Sequence, residues 1–226
     1  MFDQRRKAIA HLEESLKINP KYLPALFLLC ESKIENDDNK SAKQYLDRIK
    51  DIEPENPKYL YLSSKLAHKN GDLNKAKRIL DRSLANKNYD KDTLSLGLEI
   101  AKNLKSNKDK IFILENWLLH HNACVDQYLE LAKSLDQPNH YEKACYYFKV
   151  AQELAPQRID VLIEGARFHL KAKQEQTDGT IISKRDHKRA KRILENILVI
   201  EKDSFDAICM LGDINFQEEE YSSAKK

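Results

Sequence analysis

Glycine and proline are scarce in this chain, whose 226 residues include five glycines and six prolines. Few tight turns and few helix breakers are therefore available, so most residues must lie in long uninterrupted elements, and helices fit best. Hydrophobic residues make up 41% of the sequence, which is enough to bury a core. The composition predicts a folded, largely helical protein.

An excess of one charge is also missing, since 39 Lys and Arg face 36 Asp and Glu, a formal net charge of +3. Nucleic-acid binders are normally strongly basic because phosphate neutralisation drives their affinity, so this balance argues against nucleic-acid and membrane-surface binding. The apolar runs, such as Ala25–Cys30, are far shorter than the roughly 18 residues of a membrane span. Met1–Arg6 is not followed by the apolar core of a secretory signal. We expect an intracellular protein, cytoplasmic with the nucleus as the alternative.

The sequence contains no motif typical of a catalytic or metal-binding site. The segments His120–Cys124 and His140–Cys145 contain zinc-ligand residue types, but their spacing matches no compact zinc motif. No phosphate-binding glycine loop, nucleophile elbow or metalloprotease helix motif occurs. Four cysteines lie far apart, form no CxxC pair and are expected to act as small hydrophobes: Cys30, Cys124, Cys145 and Cys209. We predict no catalytic residue, no metal and no cofactor, and therefore not an enzyme.

A repeat of 34 residues organises the chain. Alanines recur in phase, one interval spanning two periods and another carrying 12 additional residues: Ala8, Ala42, Ala76, Ala144, Ala190 and Ala224. Lys110 fills the one slot without alanine. Four residues after each anchor the side chain is large and apolar: Leu12, Leu46, Leu80, Leu114, Phe148 and Leu194. A unit of this size cannot bury its apolar face alone, so successive units must stack.

Two further columns keep the same phase. Turn-forming or helix-stopping residues dominate the first, twelve positions after each anchor: Pro20, Pro54, Asn88, Asn122, Pro156 and Lys202. Small residues dominate the second, which falls in the preceding helix of each pair: Cys30, Ser64, Leu98, Ala132, Ala166 and Gly212. A small residue in each helix lets the two helices of a hairpin pack closely.

With these columns the chain resembles the tetratricopeptide repeat family over essentially its whole length. The best local matches are Ile208-x2-Leu211-Gly212 leading to Tyr221 and Ala224, and Ala144-x3-Phe148 leading to Pro156. The hairpin around residues 91–122 departs furthest from the pattern. The resemblance implies an all-α, right-handed superhelical solenoid of antiparallel helix hairpins.

The repeat phases predict a single solenoid over residues 1–226, with units at about 4–20, 22–54, 57–88, 91–122, 125–156, 159–202 and 204–226. The 12 additional residues fall near 173–185 and contain the turn signal Asp178-Gly179. They form either a tolerated surface loop, which we favour, or a partner-specific contact loop. Because the chain starts and stops inside hairpins, we expect a fragment of a longer array, which the full-length reading frame would test.

The resemblance also implies that first helices line a concave face that binds a partner. Phase nominates the inward-facing positions: Phe27, Glu31, Lys58, Tyr61, Lys65, Ser95, Glu99, Leu129, Lys133, Ile163 and Arg167. Such a mixed surface suits an extended or helical segment held by a few side chains. For Phe27, Leu129 and Ile163, packing in the core is an equally strong alternative.

One known mode in this family grips the acidic C-terminal tail of chaperones with lysines, asparagines and an arginine from three successive first helices. Lys65, Lys133 and Arg167 lie on the corresponding faces, but the asparagines are missing. The sequence therefore argues against a chaperone tail as the partner.

Two charged patterns have ordinary structural explanations. The aspartates at first-helix starts could form an acidic rim, but we favour stabilisation of helix N-termini: Asp92, Asp126, Asp160 and Asp206. The basic run Lys184–Arg192 would suit a nuclear-import signal or an RNA contact. Because Ala190 anchors a helix within it, we favour the solvent-facing side of that helix.

The sequence as a whole predicts a non-catalytic protein–protein interaction scaffold that binds a partner peptide or helix in its concave groove, within a larger protein or assembly. One alternative is the targeting or regulatory part of an enzyme whose catalytic domain lies elsewhere. A second alternative, from a different class, is an RNA-associated helical repeat.

Overall fold

The computed structural model describes the backbone of residues 2–224 and the side chains of residue 4 and residues 6–217. Helices account for most of this part of the chain. In order they are α1 (Phe2–Ile18), α2 (Leu23–Glu35), α3 (Asn39–Lys50), α4 (Pro57–Lys69), α5 (Leu73–Ala85), α6 (Lys91–Asn103), α7 (Asn107–His120), α8 (Val125–Ser134), α9 (Tyr141–Leu154), α10 (Ile159–Lys171), α11 (His187–Ile200) and α12 (Phe205–Ala224). The predicted all-α class of paired helices is confirmed.

The chain divides into two compact units, unit 1 up to Ile113 and unit 2 from Leu114, so that the division falls within α7. In unit 1, α2 packs against α3 and α4 against α5. In unit 2, α8 packs against α9 and α10 against α11. The organisation of residues 1–226 as one solenoid stays a prediction.

Small residues hold the helix pairs together, as the repeat columns predict. Cys30 Sγ on α2 donates to the carbonyl of Ala42, 3.7 Å away, and Ser64 Oγ on α4 donates to the carbonyl of Ala76 at 2.9 Å. Each contact joins the small residue of a first helix to the anchor of its second helix. Four anchor alanines are completely buried: Ala42, Ala76, Ala144 and Ala190.

The tight turns of unit 1 share one conformation. The second residue after each first helix adopts a positive φ: Asp37 (59°), Gly71 (78°) and Lys105 (54°). The next amide then reaches back to the last helical turn, as Asp72 N does to the carbonyl of Ala67 at 3.0 Å. The residue at this next position also caps the second helix through its side chain: Asp38, Asp72 and Ser106.

The degenerate third hairpin keeps its close packing by a substitute. Leu98 and Lys110 fill the slots that are small elsewhere, and both are half-buried. Gly97, the neighbour of Leu98, is buried instead. A Cβ atom at Gly97 would lie 2.9 Å from Ile113 Cδ1 and 2.9 Å from Leu80 Cδ2. Glycine at this position therefore allows α6 to approach α5 and α7.

The 12 additional residues form a short β-hairpin where the sequence favours a loop. Strand β1 (Lys173–Glu175) pairs antiparallel with β2 (Ile181–Ser183). Gly179 supplies the positive φ of the turn, and Asp178 accepts a hydrogen bond from the backbone of Thr180 at 2.9 Å. The β-branched residues of β2 favour the extended backbone. Strand β1 lies against α9 and the short 3-10 turn Pro138–His140.

The two ends of the repeat pattern differ from the middle. Ala8 on α1 is exposed, and the side chains of Tyr221 and Ala224 lie outside the described residues. Helix α12 runs unbroken over 20 residues, where the repeat pattern predicts a second helix before Ala224. The run Gln217–Glu220 contains only good helix formers and no residue that would stop a helix. Within residues 2–224, no helix is both long enough and apolar enough to cross a membrane.

Candidate protein-binding surfaces

The first helices of unit 1 lie side by side, since α2 contacts α4 and α4 contacts α6. A cleft of about 240 Å³ lies along them. Three of the predicted inward-facing residues line it: Glu31, Lys58 and Tyr61. Asn88 and Asp92 complete its opposite side, at the start of α6. We call this feature the first-helix cleft.

Charged and aromatic groups pair along the first-helix cleft. Lys58 Nζ lies 3.2 Å from the carboxylate of Glu31 and 5.7 Å from the ring centroid of Phe27. Two helical turns further on α4, Lys65 Nζ lies 5.6 Å from the ring centroid of Tyr61. These cation–π contacts hold the lysine stems across the aromatic rings and keep the ammonium groups near the surface. Tyr61 and Lys65 are half-buried, which leaves part of each side chain free for contact.

The three large apolar candidates belong to the core. Phe27 is 8% exposed, Leu129 7% and Ile163 5%. The sequence leaves core packing and partner binding open for these three residues. Core packing is the alternative that fits, because almost all of each side chain is buried. Ser95 and Glu99 on α6 are exposed, but neither lines the first-helix cleft.

In unit 2 the predicted basic candidates are already paired with acidic neighbours. Lys133 Nζ on α8 lies 3.9 Å from the carboxylate of Glu164 on α10. Arg167 binds the same carboxylate at 3.2 Å and that of Asp206 on α12 at 3.5 Å. Glu164 was not nominated by the sequence, although its spacing of three from Arg167 is one at which helical side chains meet. The first helices of unit 2 thus neutralise their own charges.

The repeated aspartates lie in the first turns of their helices, as predicted, and two of them share a cation. Arg158 donates to Asp160 from Nε at 2.9 Å and lies 2.6 Å from the carboxylate of Asp126. The hydrogen bonds from Arg158 lower the pKa of Asp160 below its ordinary value. This pair of contacts joins the start of α8 to the start of α10, and contributes little to stability because all three groups are well exposed.

In the two segments with zinc-ligand residue types, cysteine and histidine side chains contact neighbouring side chains. Cys124 Sγ contacts Gln127 Oε1 at 2.7 Å, and His121 packs edge-on against Trp117. Burial raises the pKa of the Cys145 thiol, which hydrogen-bonds with Tyr141. In the part of the chain that the structure describes, no group of three or more His, Cys, Asp or Glu side chains is placed to hold a metal ion.

Fold and surfaces together define a protein built of repeated helical hairpins. Residues 3–66 match the family model of the tetratricopeptide repeat. The predicted tetratricopeptide repeats are confirmed: the family match identifies them in residues 3–66, and the chain has the fold of proteins built from them.

Solved structures with this fold include YrrB, described as a tetratricopeptide repeat protein with an unusual peptide-binding site. It is 13% identical, with 87% of this chain and 95% of YrrB covered and a TM-score of 0.67. MamA from Desulfovibrio magneticus RS-1 is 18% identical, with 80% of this chain and 95% of the MamA chain covered and a TM-score of 0.56. At these identities the likeness shows the fold alone. A comparison with curated protein sequences gave no significant match.

Proposed function

We propose that the chain is a non-catalytic protein-interaction module whose first-helix cleft binds a peptide or helical segment of a partner protein. The observation that carries this proposal is the cleft itself, which brings Glu31, Lys58 and Tyr61 from two successive first helices into one depression of about 240 Å³. A peptide-binding protein with the same fold, YrrB, makes such a use of the fold reasonable.

The chemistry of the cleft fits a segment with one large side chain and a charge on each side. The partly exposed ring of Tyr61 offers an apolar and aromatic contact, and aromatic residues are frequent anchors of protein interfaces. Asp92, which lines the cleft, and Lys65, whose ammonium group lies 5.6 Å from the ring centroid of Tyr61, can fix the orientation of the segment through charge. Phe27 takes no direct part in this proposal, because its side chain is buried beneath Lys58.

The test starts from a random peptide library displayed on phage and panned against the protein, followed by affinity measurement with labelled peptides. Peptides that occupy the cleft should lose about tenfold or more in affinity with Tyr61→Ala and several-fold with Lys65→Glu. Tyr22→Ala and Lys43→Glu are matched controls, since both residues are exposed in unit 1 and neither lines the cleft. If the selected peptides bind every variant equally while all variants stay folded, the first-helix cleft is not the binding site.

A further inference from the structure

A second and larger depression lies in unit 2, between the second helices α9 and α11. Its volume is about 640 Å³. We call it the α9–α11 groove, and eight residues line it: Gln152, Pro156, Leu162, Asp186, Arg189, Arg192, Ile193 and Asn196. Arg189 and Arg192 belong to the basic run that the sequence singles out, and both are exposed. This surface is separate from the first-helix cleft and does not depend on the function proposed for it.

Unit 1 contains the equivalent groove between α5 and α7, and there it is nearly filled. Its volume is only about 20 Å³. Lys77 Nζ on α5 lies across it, 2.9 Å from Asp109 on α7 and 3.2 Å from Asp81. The Lys77–Asp109 ion pair joins the two helices and sets their opposite charges against each other.

The repeat register shows which residues correspond. The positions on α5 and α9 differ by two periods of 34, and those on α7 and α11 by the same distance plus the 12 additional residues. Four lining residues of one groove therefore match four of the other: Leu84, Asp109, Phe112 and Ile113 in unit 1, and Gln152, Arg189, Arg192 and Ile193 in unit 2. Unit 2 thus replaces an acidic, an aromatic and an aliphatic residue by two arginines and an amide.

The ion pair that closes the groove of unit 1 has no counterpart in unit 2. Cys145 occupies the position of Lys77, and Arg189 occupies the position of Asp109. Within the described part of the chain, no carboxylate lies at ion-pair distance from Arg189 or Arg192, whereas Arg158 and Arg167 each bind two. Asp186 is the acidic residue that lines this groove, and its side chain accepts a hydrogen bond from the Arg189 backbone at 2.8 Å as the cap of α11.

Gln152, on the far side of the groove, carries a hydrogen-bond donor without a partner in the described part of the chain. Nε2 of Gln152 is buried and has no hydrogen-bond partner among the described residues. A buried amide without a partner is costly, so rotation of this amide into the groove, toward an acceptor of a bound segment, would be favourable. Ile193, which is half-buried, adds an apolar surface beside these polar groups, whereas Leu162 is only 5% exposed.

We propose that the α9–α11 groove binds an acidic peptide segment of a partner protein, with an Asp or Glu side chain at Arg189 and Arg192 and an apolar side chain against Ile193. Arginine pairs with carboxylates in a planar, two-point geometry, and the partner would supply the negative charge that Asp109 supplies in unit 1. A single-stranded RNA fits less well. None of the described residues that line the groove is aromatic, so bases have nothing to stack on.

The decisive variant closes the groove by restoring the pair found in unit 1. Cys145→Lys combined with Arg189→Asp places a lysine and an aspartate at the positions of Lys77 and Asp109. A random peptide library panned against the wild type should yield acid-rich peptides that carry at least one large apolar residue. The best labelled peptide should bind the closed variant about tenfold more weakly or worse, and its affinity for the wild type should fall as salt is raised.

The controls separate this site from general charge attraction and from loss of folding. Lys43→Gln lowers the net charge by one unit, as the closed variant does, at an exposed position of α3, and should alter the affinity less than about twofold. Arg192→Gln, an exposed single change, should weaken binding several-fold with unchanged circular dichroism. The proposal fails if the selected peptides are not acidic, or if the closed variant, folded by the same criterion, retains them. It also fails if a labelled single-stranded RNA of about twelve nucleotides binds more tightly than the peptide and is lost in the closed variant.

Discussion

The two units use the same repeat in different ways. In unit 1, each of three successive turns between first and second helices has a residue with positive φ at the same repeat position, 34 residues apart. The groove between α5 and α7 is closed by an ion pair. In unit 2, a 3-10 turn and a β-hairpin stand where those turns would fall, and the equivalent groove is open and basic. The difference teaches that the repeat fixes how helices pair, while the turns and second-helix faces remain free to vary.

The largest expected difference between the units concerns acid stability. His169 on α10 occupies the repeat position that Ala67 and Ala101 hold in unit 1, and it is 4% exposed. Burial, and to a lesser extent the charge of Arg189, lowers its pKa to about 4, from the ordinary 6.5. The unfolded chain therefore binds a proton that the folded protein excludes, and stability falls as the pH drops from about 6.5 to about 4. This group contributes a loss of about 3 kcal/mol at most, at 1.36 kcal/mol for each pKa unit.

Urea unfolding of the wild type and of His169→Gln at about pH 7 and about pH 4.5 would measure this effect. The variant lacks the titrating group, so its free energy of unfolding should change less with pH than that of the wild type. Equal pH dependence in the two proteins would contradict the assignment to His169.

The second comparison uses two glycines at the same repeat position, Gly97 and Gly165. Alanine at Gly97 would press its Cβ against Ile113 and Leu80, so we expect Gly97→Ala to destabilise the protein by about 1 to 2 kcal/mol. At Gly165 the nearest atom is Nε2 of Gln152, which is the free end of a flexible side chain. Rotation of that amide into the open α9–α11 groove would relieve the clash and expose a donor that has no described partner.

Gly165→Ala should therefore change stability by less than about 1 kcal/mol, and the better helix propensity of alanine favours a gain. Thermal unfolding of both variants followed by circular dichroism is the measurement. The comparison breaks down if the two variants are destabilised to the same extent, because the groove would then offer Gln152 no alternative position.

A smaller effect is expected at the hairpin contact of unit 1. Ser64→Ala removes the hydrogen bond to the carbonyl of Ala76 and should cost about 1 kcal/mol. In unit 2 the same column holds Ala132 and Ala166, so no such bond can be lost there. Ser95→Ala, an exposed change on the next first helix, is the control and should be neutral in denaturant unfolding. A neutral Ser64→Ala would show that close packing alone holds the pair.

The smallest expected effect is a gain in the turns of unit 1. Lys105 has a positive φ of 54°, a conformation that costs residues with a Cβ atom more than it costs glycine. Lys105→Gly should therefore stabilise the protein by about 0.5 to 1 kcal/mol. Lys43→Gly, in the middle of α3, should instead destabilise it by about 1 kcal/mol. A melting temperature that falls with both changes would show that the strain at Lys105 is offset elsewhere.

Sequence reasoning identified the helix pairs because their signals recur at a fixed distance. The anchor alanines and the apolar residues four positions later lie on one face of each second helix, so a single column reports both helix type and buried side. The turn residues Asp37, Gly71 and Lys105 recur at the same distance, but only one of them is a glycine, and the left-handed turn was therefore not apparent.

The binding candidates were harder to predict for a different reason. Phase places Phe27 and Tyr61 on comparable inward positions, yet Phe27 is buried under Lys58 and Tyr61 is half-exposed. Which side chain covers which depends on contacts between neighbouring helices, and a column in one sequence carries no record of them. The role of the basic run Lys184–Arg192 was hard to predict for the same reason, because it depends on which side chains of α9 lie opposite it.

The sequence by itself determined that this protein is a set of antiparallel helix pairs, because small and large residues recur with the period of the hairpin. Only the tertiary structure decided which grooves between those pairs are filled and which stay open. The pair that closes the groove in unit 1 joins residues 32 positions apart, and it forms only after two helices have packed side by side. Its loss in unit 2 leaves two arginines without acidic partners among the described residues, and this becomes apparent only when Cys145 and Arg189 are compared with the folded positions of Lys77 and Asp109.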